Sequence, residues 1–278
     1  MNSALNMSLN AAKIATLLKK LDCDLPLEVV ATTGSTNADL RARLADLSQA
    51  LLLAAQEQTA GRGRAGRSWL AAAENSLCFS LAWRFSGPVT HLLGLPLAVG
   101  VVLAETLNAQ GWPVHLKWPN DLLKEGHKLG GILIETAAVR EQEGTQTSVW
   151  AVIGVGINIH QSPSVKQAVG HAIAALASEP VDRNALLATL AAALATALPQ
   201  FDQAGLAPFL ARWQALHAYA GQAVRILEAG QERHRGIAAG IDERGCPLLD
   251  TENGRLAIAA GDVSLRSVVG EGDHAAAN

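Results

Sequence analysis

The period of the apolar positions changes repeatedly along the chain, and each change predicts a new element. Near the start, "AAKIATLLKKL" spaces its apolar residues by three and four, which predicts a short, weak helix within a lead of residues 1–25. "LEVVATT" (27–33) reads as a strand, and "STNADLRARL" (35–44) opens a helix in which Thr36 followed by Asp39 resembles a capping box. The unbroken apolar run "ALLLAAQ" (50–56) predicts a buried strand, and "NSLCFSLAW" (75–83) alternates with the period of another. Residues 91–110 predict a helix closed by Gly111, "HLKW" a short strand, and Pro119 a turn. "KLGGILIETAAV" (128–139) and "SVWAVIGVGINI" (148–159) predict two strands joined by the polar loop "REQEGTQT". Helical patterns follow at 165–177, 183–201 and 205–218. From Gly221 the texture changes to short apolar runs between Gly-rich turns: "QAVRILEA", "RHRGIAAGID", "CPLLDT", "GRLAIAA" and "DVSLRSV". That pattern predicts a small β-barrel of about 50 residues. The expected boundaries are a lead (1–25), a main domain (26–219), the barrel (220–268) and a disordered tail (269–278).

Composition narrows the function classes. Nearly half of the 278 residues are hydrophobic, enough for a sizeable core, and the net charge of −3 argues against a general nucleic-acid binder. Cys23, Cys78 and Cys246 form no CxxC pair and follow no secretory signal, so a reducing cytoplasm is expected. No uninterrupted apolar run approaches the length of a membrane span, about 20 residues. The histidines lack metal-ligand spacing, and no GxSxG elbow is present.

Two clusters carry candidate chemistry. In "GRGRAGRSW" (61–69), Gly61, Gly66, Arg67 and Ser68 nearly match a phosphate-binding GxxxxGK[ST] loop. That loop requires a helix directly after it, and here only "WLAAAE" precedes a strand-like run. A solvated basic turn is the plain alternative. The third reading is a mobile loop whose Arg62, Arg64 and Arg67 wrap an anion, with glycine supplying freedom and guanidinium groups bidentate contacts. In "KWPND" (117–121), followed by Lys128 in "HKLGG", two lysines, an amide and a carboxylate meet near a turn. A turn with a surface ion pair explains Pro119, Asn120 and Asp121 but not Trp118. The functional reading is an ATP site, with lysines neutralising phosphate charge and Asp121 holding Mg²⁺ or accepting a proton. "GVGIN" (154–158) and "STN" (35–37) are weak signals alone: Gly-rich strand ends and helix caps are common.

Together "TGSTN", "QEQTAGRGRAGRSW", "KWPNDLL", "KLGGILIE" and "GVGIN", in that order and followed by a small barrel, resemble the biotin–protein ligases from about Val29 to Arg266. The loop has Ala65 where relatives often carry arginine. The resemblance implies an α+β fold of the class II synthetase kind, with a mixed sheet, packed helices and a C-terminal SH3-like barrel. It implies ATP-dependent activation of biotin to biotinyl-5'-AMP, then transfer to a lysine of a biotin carboxyl carrier protein. By the same resemblance Ser35, Thr36, Asn37, Gln58, Arg62, Gly63, Arg64, Lys128 and Gly130 would contact biotin. Arg62, Arg64, Arg67, Trp69, Lys117, Asn120, Asp121 and Asn158 would serve ATP, with Asp121 toward Mg²⁺. Lys128, Arg64, Lys117 and Asp121 would carry the chemistry, Asp121 as base for the carrier lysine. A lipoate or octanoate transferase of the same fold is disfavoured by the arginine-rich loop. A biotin-responsive repressor is disfavoured because residues 1–25 are too short for a helix-turn-helix domain. Neither a specific DNA nor a membrane partner is expected, and homodimerisation stays open because the family dimerises variably.

Overall fold

The structure, a computed structural model, describes residues 8–140, 147–169, 172–228, 230–259 and 263–268. The elements run α1 (Ala11–Lys20), β1 (Leu27–Thr33), α2 (Thr36–Arg43), β2 (Leu51–Gln58), β3 (Ser76–Phe85), α3 (Leu95–Ala109), β4 (His115–Lys117), β5 (Asp121–Lys124), β6 (His127–Arg140) and β7 (Thr147–Asn158). Then follow α4 (Pro163–Val169), α5 (Arg183–Ala204), α6 (Leu210–Leu216), β8 (Ala223–Glu228), β9 (Gln231–Ile241), β10 (Pro247–Thr251), β11 (Gly254–Ala257) and β12 (Val263–Ser267).

The first seven strands form one sheet in the order β1-β2-β3-β7-β6-β5-β4. The β1–β2 pair is parallel and crosses over through α2; every other pair is antiparallel, so the sheet is mixed. Alternation decides what each face does. Leu77, Phe79 and Leu81 of β3 and Ile153, Val155 and Ile157 of β7 share one face and are buried in the main core with α3 and α5. These two helices are apolar enough that α5, and α3 with the turn before it (Val89–Ala109), reach the length and hydropathy of membrane spans, but most of each apolar stretch is buried inside the protein. They are core helices.

Several expectations shift. The helix predicted from residue 91 begins at Leu95, because Gly94 has a left-handed φ of 84° that separates it from a 3-10 turn at Val89–Leu92. Leu206 packs against Gly94 so closely that a Cβ there would sit 2.9 Å from it. The helix predicted at 165–177 ends at Val169, and residues 172–177 run extended beside the sheet. The one predicted at 205–218 narrows to α6 behind a 3-10 turn. The cap of α2 is Ser35, whose hydroxyl accepts from Ala38 N–H, while Asp39 accepts from the Thr33 hydroxyl instead of closing a capping box. Strand β5 was not predicted; four residues carry too little period to register.

The C-terminal unit is a five-stranded antiparallel sheet, β11-β10-β9-β8-β12, curled around Val224, Ile226, Ala238, Leu249 and Leu265, as an SH3-like barrel requires. It docks through its 242–246 turn. Trp118 Nε1 donates to the Gly245 carbonyl at 2.9 Å, and Gly245 lies flat against Leu97 and Leu206. The expected tail (269–278) and residues 141–146 of the β6–β7 loop lie outside the described residues.

Candidate active site

The sheet's second face builds the site. Its cross-strand rows follow from the register. One runs Ala55, Cys78, Gly156, Gly131, Asp121, Lys117; the next runs Leu53, Ser80, Gly154, Leu133. At one end Leu40 of α2 and Leu44 of the 3-10 turn after it cover this face, on Leu53, Ala82, Trp150 and Val152. Toward the middle the side chains shrink to serine, cysteine and glycine, which opens a floor where a ligand can meet backbone.

The start of α2 lies over this transition, with Ser35, Thr36 and Asn37 all buried. Gln58 Oε1 accepts from Thr36 N–H at 2.9 Å and from its hydroxyl at 3.0 Å. Thr36 and Ser80 hydroxyls meet at 2.6 Å, and Ser80 donates to Asn37 Oδ1 at 2.6 Å. Asn37 Nδ2 donates to the Leu133 carbonyl and to Glu135, and its amide fills the space that Gly154 leaves. Both ends of Asn37 are therefore engaged in fixing α2 on the sheet, whereas Gln58 and Thr36 form a polar rim.

The Gly/Arg loop folds into a tight hairpin. Gly63 N–H donates to the Arg67 carbonyl at 2.7 Å, Trp69 N–H to the Gly61 carbonyl at 2.9 Å, and Ala65 and Gly66 make the turn with φ of 53° and 71°. No helix follows, so the phosphate-loop reading fails. Gly61 admits no side chain, because a Cβ would lie 2.5 Å from the Trp69 carbonyl. Arg62 and Arg67 are exposed and Arg64 is half-buried. The hairpin returns the Trp69 indole onto the floor: a Cβ on Gly156 would be 2.5 Å from it. Its Nε1 is buried on that floor. Beneath lies Cys78, whose thiol burial pushes up to about 11, so it stays protonated and neutral.

The charged end is built by a hairpin and a bulge. A cis Trp118–Pro119 bond turns β4 into β5, and Lys117 and Asp121 pair across it at 3.9 Å. In β6, Leu122 pairs with Gly130 but Leu123 with Lys128, leaving Leu129 as an extra residue. The bulge sends Leu129 into the core and turns Lys128 to the face of Asp121, where Nζ meets Oδ1 at 2.7 Å. Nζ also lies 5.9 Å from the Trp69 ring centre. Lys117 is brought down to about 8, first by burial; Asp121 opposes this, and Arg266, Lys128 and Arg67 add to it. Arg266 of β12, in the barrel, thus acts on Lys117 through its charge. Asp121 faces two lysines, and the charges of Arg67 and Arg266 also act on Lys117, an excess of positive charge suited to a polyanion.

Three predicted residues have other places. Gly130 points to the core face, toward Leu122 and Ile157, and Gly131 takes the floor. Asn120 exchanges hydrogen bonds with Ile132 across β5 and β6. Asn158, buried, donates to the Ala174 carbonyl at 3.1 Å. Sequence reasoning missed Cys78, Ser80, Gly131, Gly156 and Arg266. The alternation of small residues, S-x-C-x-S against G-x-G-x-N, was the available signal for the floor; Arg266 had none.

Residues 28–158 match the Biotin/lipoate A/B protein ligase family, and residues 219–266 match the Biotin protein ligase C terminal domain. The chain is 36% identical over 242 residues to the bifunctional ligase/repressor BirA of Escherichia coli, covering 86% of this chain and 74% of that one. It is 36% identical over 245 residues to the biotin–[acetyl-CoA-carboxylase] ligase of Mycobacterium tuberculosis, covering 85% and 88%. The chain belongs to the biotin protein ligase family. Among solved members, the Aquifex aeolicus biotin protein ligase in complex with biotin and ATP superposes with a TM-score of 0.69 at 27% identity, covering 87% of this chain and 99% of that one. The family's catalytic segment spans every site residue from Ser35 to Asn158, and its C-terminal segment includes Arg266.

Proposed function

We propose that this family member is an ATP-dependent biotin–protein ligase. The observation that carries the reading is the junction of a small-residue floor with Lys117 and Lys128 paired to Asp121, where the charges of Arg67 and Arg266 also bear on Lys117. A neutral bicyclic head suits the floor and its Thr36–Gln58 rim. A carboxylate emerging from it meets Lys128. The biotin carboxylate oxygen attacks the α-phosphorus in line; the new P–O bond forms as the bond to pyrophosphate breaks. The cations stabilise charge on the phosphoryl oxygens, so catalysis is positioning and neutralisation. The neutral amine of a carrier lysine then attacks the acyl carbon and AMP leaves. The hairpin carrying Arg62 and Arg64 would fold over the mixed anhydride and keep water out. Asp121, which pairs with both lysines and orients them, would take the amine's proton.

Magnesium fits as a companion of the nucleotide rather than as a resident ion. Among the described residues no three His, Cys, Asp or Glu side chains gather, and Asp121 is already paired with Lys128. We take the carrier to be a biotin carboxyl carrier domain, the division at residues 26–219 and 220–268 to be functional, and the reaction to be cytoplasmic. The arginine-rich hairpin keeps a lipoate ligase second. The test is biotin-dependent ATP–pyrophosphate exchange, followed by mass gain on a carrier domain. Exchange driven by lipoate and not by biotin would overturn the reading.

A further inference from the structure

Lys124 ends β5 and turns away from the site, yet its side chain is only 18% exposed. Its ammonium donates to the carbonyls of Ala175 at 3.2 Å and Leu176 at 2.9 Å, and lies 3.9 Å from Glu125. These two carbonyls belong to segment 172–177, which ties Lys128 of the site to Asn158 behind it. Ile173 forms a parallel bridge with Lys128, and Ala174 N–H donates to the Lys128 carbonyl at 2.9 Å. Asn158 Nδ2 donates to the Ala174 carbonyl, and Leu176 N–H donates to the Asn158 carbonyl at 2.9 Å. The segment is a strap over the bulge that aims Lys128. A bulge interrupts the strand ladder, so the backbone beside it needs another partner. The strap supplies that partner, and Lys124, with three donors on one charge, holds the strap from the neighbouring strand.

We infer that Lys124 is a positioning residue for adenylation: by holding Ala175 and Leu176 it keeps the strap on the Leu129 bulge and so keeps the Lys128 ammonium on the site face. The inference rests on the proposed function for its kinetic part and on geometry alone for its structural part. A misplacement of about 1 Å at a reacting group costs up to roughly 100-fold in rate, so the effect belongs in kcat.

The test uses the full chain with Lys124→Met, Lys124→Gln and Lys124→Arg, and Lys124→Met combined with Lys128→Ala. Biotin-dependent ATP–pyrophosphate exchange, thermal unfolding and peptide-level hydrogen exchange are measured. Lys124→Met is expected to lower kcat roughly 10- to 100-fold with biotin KM within about twofold. Lys124→Arg is expected to recover most of it. On the Lys128→Ala background, Lys124→Met should add no further loss. Hydrogen exchange should quicken in peptides over 127–131 and 172–177. A folded Lys124→Met with parental kcat would overturn the inference, as would an equal loss with and without Lys128. Should Lys124→Met not fold, Lys124→Gln, which keeps a donor for one carbonyl, carries the same cycle. A parent without biotin-dependent exchange refutes the proposed function instead. Hydrogen exchange then decides the strap: unchanged protection of 172–177 in Lys124→Met refutes it.

Discussion

At the scale of single residues, the site divides into groups that touch charge and groups that make space. Lys128 belongs to the first. Its removal in Lys128→Ala should cost adenylation roughly 10²–10³ in rate while the fold persists, as the loss of a charge contact at a transition state does; exchange kinetics and a melting curve check both halves. Lys117 adds a pH signature. With its pKa lowered to about 8, its charge is present below that value and lost as pH rises through it. The kcat/KM for ATP should therefore fall above about pH 8, and Lys117→Arg should flatten that fall. Gly156 belongs to the second group. Gly156→Ala drives a methyl into the Trp69 indole, so biotin KM should rise while ATP KM holds; titration of each substrate separates the two. Lys117, Lys128 and Asp121 were legible in the sequence because charge beside proline and glycine is conspicuous. The floor was marked only by its alternating small residues, and a serine or glycine in a strand looks the same whether it faces a ligand or a helix.

At the scale of elements, what could be read was what has a long period. Strands β1, β3, β6 and β7 and helix α5 fall within a few residues of their expected places. The failures share a cause: their conformation is set by partners distant in sequence. Residues 172–177 have helical spacing, but their N–H groups donate to the carbonyls of Lys128, Asn158 and Ile159, and their carbonyls accept from the side chains of Lys124, Asn158 and Gln161. Gly94 breaks a helix because Leu206 needs its surface. The Leu129 bulge, which aims the principal lysine, leaves no mark in the hydrophobic pattern. Helix α6 carries a pH consequence of its own. Just past its end His217 is buried on Trp213, its ring nitrogens without a hydrogen-bond partner among the described residues, and burial lowers it to about 4. Above the ordinary histidine value neither state binds the proton, so stability is unaffected. As pH falls from about 6.5 toward 4 only the unfolded chain takes it up, and stability drops by on the order of 3 kcal/mol. Denaturant melts at pH 7 and pH 4.5 should show a drop that His217→Phe reduces.

At the scale of the whole molecule, the C-terminal barrel is part of the charged end and not an appendage. The charge of Arg266 on β12 acts on Lys117, and Trp118, the next residue along, hydrogen-bonds Gly245. Arg266→Ala should raise the KM for ATP several-fold and leave biotin binding alone; calorimetry with each substrate tests this. The sheet's two faces have a further consequence for how the protein tolerates change. Adjacent letters of β3 and β7 answer to different demands: Leu77, Phe79, Ile153 and Val155 to packing, and Cys78, Ser80, Gly154 and Gly156 to the ligand and its rim. A library of all single substitutions along these strands, sorted once for abundance and once for biotin transfer, should therefore oscillate with a period of two. The core-facing positions would lose the protein, Cys78 and Gly156 between them would keep it and lose the activity, and Ser80 and Gly154, which seat Asn37 and α2, would lose part of both. A deletion of one residue would exchange the two sets and abolish both.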